Sequence, residues 1–224
     1  MNGIIGILTG KGPACDELQA WLDTLQPYQP TQVLRIPGNQ IAHQRNLVAQ
    51  QMLVQDRPWV LFVDNDCIPP PGAIERLLSH DLPLVSGACV ERVAPFDLCA
   101  IRSFEPFTRY RATDLKGQTE PFPVVAAGTG CLLVRREVFL ALGAPWFRCG
   151  QLSADLLAED TDFCLRAAEA GFPVYLDPLV KVGHDVRCVL YPGDEGLWAQ
   201  WSGPFGLLPY REPLGDEVAR VVHL

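Results

Sequence analysis

The sequence has no surplus of positive charge: 18 Lys and Arg stand against 26 Asp and Glu, a formal net charge of −8. A surface that grips nucleic acid is normally basic, because neutralising phosphates supplies most of the affinity. The balance therefore counts against a general nucleic-acid binder and leaves room only for a local basic groove. There is also no Cys-x-x-Cys pair, although the chain carries 8 cysteines. Several lie inside apolar runs, as Cys131 does in Cys131-Leu132-Leu133-Val134. They read as reduced thiols that pack as small hydrophobes, the usage of a cytosolic protein, rather than as a disulfide framework. No apolar run approaches the ~20 residues needed to cross a bilayer. The start, Met-Asn-Gly-Ile-Ile-Gly-Ile-Leu, lacks the basic residues and long apolar stretch of a secretory signal. The expectation is a cytoplasmic protein with no membrane span. Internal repeats and low-complexity tracts are missing too, which removes solenoids and disordered linkers.

What the chain does have is an ordinary globular balance over 224 residues, 48% hydrophobic and 20% charged. That length fits one domain with a full core, or one domain plus a modest extension. Its 20 prolines imply many loops and sharp strand ends. Short apolar runs alternate with helix-like stretches, the pattern of an α/β sheet. Strands are expected at 4–8, 32–36, 59–63, 84–86, 124–127, 132–134 and 174–176. Helices are expected at 16–25, 41–54, 73–78, 137–142 and 160–170, the last closed by Gly171. Residues 89–123 show no sustained period but hold Arg92, Phe96, Phe104, Phe107, Arg109, Tyr110 and Arg111. A connection this long inside a compact domain is a binding element or a disordered insert, and its aromatic content favours binding. Residues 186–224 carry Trp198 and Trp201 among prolines and glycines, and are expected to form an extension packed on the main domain. Those two rings either close over a bound ligand or make an internal or dimer contact.

Four clusters carry possible chemistry. Asp64-Asn65-Asp66 follows the buried run Trp59 to Val63, and ligands of open α/β sheets bind beyond the carboxyl ends of strands. Two carboxylates so close repel, and a divalent cation removes that penalty while bridging to diphosphate oxygens. The competing explanation is an acidic turn held by its own backbone hydrogen bonds. Glu159-Asp160-Thr161-Asp162 opens a helix, where acidic residues are favoured by the macrodipole alone; one of them could also serve as a general base. His184 follows a strand and a glycine, and neutral imidazole is a good third ligand beside two carboxylates, though a lone histidine is more often structural. Gly128-Thr129-Gly130 permits close backbone approach to a ligand, or a bulge. An apolar strand rather than a helix follows it, which excludes a dinucleotide fingerprint.

Taken in order, His43-Gln44-Arg45-Asn46, Asp64-Asn65-Asp66, Gly128-Thr129-Gly130, Glu159-Asp160 with Arg166, and Gly183-His184 resemble the glycosyltransferases of the GT-A fold, similar to family 2. The resemblance implies a Rossmann-like α/β catalytic domain over 1–185, a central, mostly parallel sheet flanked by helices, and 89–123 as an acceptor-side loop. It implies transfer of a sugar from a nucleoside diphosphate, UDP favoured, to a hydroxyl, with Mn²⁺ or Mg²⁺ as cofactor. In that scheme Asp64, Asp66 and His184 hold the metal, Asp160 is the base of an inverting reaction, and Glu159 is the alternative base. Thr9, Arg45, Asp64, Asn65, Gly128, Thr129 and Gly130 face the donor. Members often carry an acidic residue after the second strand; here the stretch reads Arg35-Ile36-Pro37-Gly38-Asn39. The acceptor is left among a glycan, a lipid-linked sugar, a protein and a hydroxylated nucleobase of viral DNA. Two rivals remain: a catalytically silent sugar- or nucleotide-binding protein on the same fold, and a phosphatase-like Asp-x-Asp hydrolase.

Overall fold

The computed structural model describes residues 2–9, 13–25, 31–38, 40–92, 96–148, 150–152, 155–186, 188–193, 196–203, 206–207 and 212–213, with side chains excluded in 150–157 and from 187 onward. The chain opens with β1 (Ile4–Leu8), α1 (Asp16–Thr24), β2 (Gln32–Ile36), α2 (Ile41–Val54) and β3 (Trp59–Asp64). β1 lies between β2 and β3 and pairs parallel with both, register Leu8 opposite Ile36 and Asp64. A strand covered on both faces must be apolar throughout, and all five residues of β1 are buried. α1 buries Leu18, Trp21 and Leu22, one stripe at helical spacing. α2 has no such simple stripe. It buries Gln44 and Arg45 along with Val48, Ala49 and Met52, so polar side chains point inward from its first turns.

A turn then leads to β4 (Cys67–Ile68), α3 (Ala73–Ser79) and β5 (Leu84–Cys89). β6 (Ala100–Phe104), β7 (Phe107–Arg109), β8 (Phe122–Pro123) and β9 (Ala126–Ala127) precede β10 (Cys131–Arg135) and α4 (Arg136–Leu142). The remaining elements are β11 (Gly150–Leu152), β12 (Asp155–Leu157), α5 (Glu159–Glu169), β13 (Tyr175–His184), and β14 to β17 at Cys188–Gly193, Gly196–Gly203, Gly206–Leu207 and Glu212–Pro213. The main sheet runs β2-β1-β3-β10-β5-β13-β4, with β8 on the side of β13. β10 is antiparallel to both its neighbours, while β5 and β13 are parallel. The expectation of a mostly parallel α/β sheet flanked by helices is met.

Alternate residues of β3 feed opposite faces. Val60 and Phe62 enter one core with Val48, Met52, Phe139, Phe147 and Phe163. Leu61 and Val63 enter the other with Leu18, Trp21, Leu77 and Val85. The first core is anchored by aromatic rings, Phe147 stacked on Phe163 at 4.4 Å and edge-on to Phe62 at 5.2 Å.

Two elements differ from the sequence reading. β13 extends over ten residues, where three were expected. Pro178 sits in a bulge: the register shifts between Asp177 and Lys181, and Asp177 Oδ1 accepts the Leu179 N–H at 2.8 Å. The stretch 89–123 is also more regular than its pattern implied. β6, β7 and β9 form a small antiparallel sheet, and Arg102 lies over the Tyr110 ring at 4.4 Å. Beyond residue 186 the backbone of β14 to β17 is antiparallel. The side chains of Trp198 and Trp201 lie outside the described residues.

Candidate active site

Asp64 is the last residue of β3, at the carboxyl end of the parallel strands. The turn after it places Asp66 just before β4, which pairs antiparallel with the end of β13, Cys67 opposite His184. A second tie, the Asp185 N–H to the Asp66 carbonyl at 2.8 Å, fixes the two segments side by side. Thus Asp66 and His184, far apart in sequence, meet with 3.6 Å between Oδ1 and Nε2. Asn65 faces away from them: its amide donates to the Pro13 carbonyl at 3.2 Å, and its own carbonyl accepts the Cys15 N–H at 2.9 Å.

The hydrogen bonds of His184 define its tautomer. Nδ1 lies 2.7 Å from the Val90 carbonyl, which can only accept, and Nε2 receives the Arg92 Nε–H at 2.9 Å. The proton is therefore on Nδ1 and the lone pair on Nε2, where it accepts from Arg92 with Asp66 Oδ1 close by. A carbonyl behind a ring in this way is the usual orienter of a metal-binding histidine. Burial holds the pKa of His184 below its ordinary value, against the opposing pull of the Val90 carbonyl, and the nearby Arg92 charge pushes the same way as burial. The ring is accordingly neutral at physiological pH. Asp66 Oδ1 is buried and has no hydrogen-bond partner among the described residues. An orphaned carboxylate oxygen 3.6 Å from an imidazole nitrogen is a pair of donors that suits a hard or borderline divalent cation, while the trio of ligand atoms that lies within 4.8 Å of one another among the described residues is Cys67, Cys89 and His184.

Arg45 lies deeper than a donor contact was expected to lie. It is 2% exposed, and its guanidinium joins Asp64 Oδ1 at 3.1 Å to Glu159 Oε1. A buried guanidinium between two carboxylates compensates both charges and holds β3, α2 and α5 in fixed relation. The three acids opening α5 thus separate. Glu159 is bound to Arg45, and Asp162 is bound to Arg148 and Arg166. Asp160 alone of the three has no cationic partner among the described residues; its Oδ1 accepts the Thr161 N–H at 2.6 Å.

Asp64, Asp160, Arg109, His184 and Gly128-Thr129-Gly130 line one open cleft of about 290 Å³. Both glycines are there for lack of space. A Cβ on Gly130 would come within 2.8 Å of Cys67 Sγ and 3.8 Å of Asp64 Oδ2. One on Gly128 would come within 3.0 Å of Cys99 Cβ and 3.9 Å of Asp160 Oδ2. Between them Thr129 is 1% exposed, and its hydroxyl has no hydrogen-bond partner among the described residues. Thr9 follows β1 with its N–H on the Ile36 carbonyl at 3.1 Å, next to the Asp64 end of the sheet.

Sequence reasoning missed Arg92 and the thiols as parts of this site. Arg92 ion-pairs with Asp66 and donates to His184. The one signal for it was its place just after β5, at the same end of the sheet as Asp64. Cys67 and Cys89 stand 3.7 Å apart at Sγ, with Cys89 Sγ 3.7 Å from His184 Nδ1. Because the Nδ1 proton is directed to Val90, the ring offers these thiols no lone pair.

A family model described as glycosyl transferase family 2 matches residues 13–143. A curated relative, the pre-mycofactocin glycosyltransferase of Mycobacterium tuberculosis, is 31% identical over 136 residues, covering 59% of this chain and 28% of that protein. The chain thus spans little more than a quarter of the curated relatives it matches. Among solved structures, A197 from STIV superposes with a TM-score of 0.58 at 19% identity, covering 88% of this chain and 93% of that one. GalNAc-T7, solved with UDP, GalNAc and Mn²⁺, gives 0.53 at 14% identity, covering 82% and 44%. At these identities the structural likeness establishes the fold.

Proposed function

Because the chain belongs to glycosyl transferase family 2, we propose that it moves a sugar from a nucleoside diphosphate donor to a hydroxyl acceptor, using a divalent cation held by Asp64, Asp66 and His184. The observation that carries this reading is the meeting of the Asp66 carboxylate, one oxygen unpartnered among the described residues, with the His184 imidazole, whose Nε2 lies 3.6 Å from that oxygen. Mn²⁺ or Mg²⁺, when bound, would neutralise the negative charge that grows on the departing diphosphate.

The protein's own residues supply the rest. Asp160, at the cleft and without a cationic partner among the described residues, takes the proton of the attacking hydroxyl as it approaches the anomeric carbon, which favours an inverting outcome. Glu159 is the lesser candidate because Arg45 holds its carboxylate. Its role is to fix Arg45, and through Arg45 to orient Asp64. Gly128 and Gly130 let the donor sugar approach the backbone, and the Thr129 hydroxyl is available to it. Thr9 and Asn65 border the nucleotide side. The association of the fold with UDP and Mn²⁺ in GalNAc-T7 supports a UDP-sugar as the first donor to try. The acceptor class is any hydroxyl that the 89–123 segment admits beside Asp160, with glycan, lipid-linked sugar, protein and hydroxylated nucleobase all to be screened.

The test is a thermal-shift screen of nucleoside diphosphate sugars with and without Mn²⁺, followed by assay of released nucleotide. Metal-dependent stabilisation with slow donor hydrolysis is expected. Stabilisation without any turnover would favour the silent binder, and phosphate release from simple esters the hydrolase.

A further inference from the structure

Arg92 touches the two side chains that the preceding reading assigns to the cation, and on His184 it holds the one nitrogen that could coordinate it. Its terminal nitrogen is paired with Asp66 Oδ2, and its Nε–H donates to His184 Nε2 at 2.9 Å. The neutral imidazole has one in-plane lone pair, on Nε2, because Nδ1 carries the proton given to Val90. That lone pair can accept the Arg92 hydrogen or coordinate a metal, but not both. A guanidinium does not lose its charge at any physiological pH, so it cannot yield by deprotonation. Two positive centres at one carboxylate also repel.

Arg92 is free to leave. Its side chain is 43% exposed, whereas that of Asp66 is 14% exposed and is held by the β4–β13 pairing. The carboxylate and imidazole are therefore fixed, and the arginine is the movable partner. Asp66 Oδ1 receives nothing from Arg92 and remains unpartnered among the described residues. The guanidinium thus satisfies part of the site and leaves the oxygen nearest the imidazole uncompensated.

We propose that Arg92 is a built-in competitor for the divalent cation: it occupies Asp66 and His184, and metal binding requires its guanidinium to swing away. The proposal rests on the assignment of Asp66 and His184 as cation ligands. Cation affinity is then set by the difference between the ion's hold on the site and that of Arg92. Removing the guanidinium should tighten metal binding even though it takes away a residue beside the site. A residue that merely supported the site would, on removal, weaken it.

The test is direct binding of Mn²⁺ alone, read by electron paramagnetic resonance of the free ion and by calorimetry, for the wild type, Arg92→Ala, Arg92→Gln and Asp66→Ala. Because the Arg92 pair is part-exposed, Arg92→Ala and Arg92→Gln should each tighten Mn²⁺ binding about two- to fivefold. Asp66→Ala should lose most of it. Circular dichroism on each variant verifies the fold, and agreement of the two Arg92 variants excludes an effect of lost bulk. If both bind Mn²⁺ no tighter than the wild type while Asp66→Ala is impaired, the competitor role is overturned and the metal assignment stands. If Asp66→Ala binds as well as the wild type, or if no form binds Mn²⁺, the metal assignment fails and takes the competitor role with it.

Discussion

Asp160 and Glu159 are adjacent in sequence, and their environments divide the roles between them. Glu159 is bound to the buried Arg45, while Asp160 lines the cleft with no cationic partner among the described residues. Asp160→Asn keeps the Thr161 backbone bond as an acceptor amide but removes the basic oxygen. Sugar transfer is expected to fall about 10²- to 10⁴-fold while donor affinity stays within about twofold, as read by transfer rate and donor calorimetry. Unimpaired transfer by that variant would place the base elsewhere. The sequence alone could not make this distinction, because an acidic first turn is what helix electrostatics favours in any case. What separates the two acids is Arg45, delivered from a helix more than a hundred positions earlier.

At the scale of elements, the strand ends were legible and the contacts between them were not. The apolar run before Asp64 places it at the carboxyl end of a central strand, because a strand buried on both faces leaves no room for alternation. Helix α2 was legible as a helix, but not in what it buries. Its inward face carries Gln44 and Arg45, and polar residues on a buried face are expected where a site overrides the pattern. The pairing of β4 with β13 had no local signal. β4 has only two residues, and the Pro178 bulge hid the length of β13. Hence His184 was expected as a ligand by resemblance, while its approach to Asp66 comes from the pairing. The close approach at Gly130 gives a test at this scale. Gly130→Ala would drive a methyl into Cys67 Sγ and displace the Asp66–Cys67 turn. Turnover is expected to drop about tenfold, equivalent to about 1.4 kcal/mol of barrier, and the double variant with Cys67→Ala should recover most of it. Additive losses in the double variant would show that the methyl acts through some other neighbour.

Over the whole molecule, the buried thiols couple stability to pH. Burial pushes Cys131 and Cys164 up to about 12 from an ordinary 9.0, and backbone hydrogen bonds only partly oppose it. The folded pKa is raised, so this contribution to stability is fully present below pH 9.0. It is lost as pH rises toward 12, because only the unfolded chain can release those protons there. Melting temperature under reducing conditions should fall steeply between about pH 9 and 11, by several degrees per unit. In the double variant Cys131→Ala with Cys164→Ala the fall should be shallower, even if its curve starts lower because of the cavities left behind. Parallel curves for the two proteins would remove the thiols from the explanation.

The whole sheet serves to bring the carboxyl ends of β3 and β13 together, so that the Asp64-Asn65-Asp66 turn faces a neutral His184. The most direct measurement of that claim is Mn²⁺-stimulated breakdown of a nucleoside diphosphate sugar by the wild type and by Asp66→Ala, with folding of both verified by circular dichroism. The expected result is a folded variant whose rate is lower by about a hundredfold or more and no longer responds to the metal. Undiminished, metal-stimulated activity in Asp66→Ala would contradict the account.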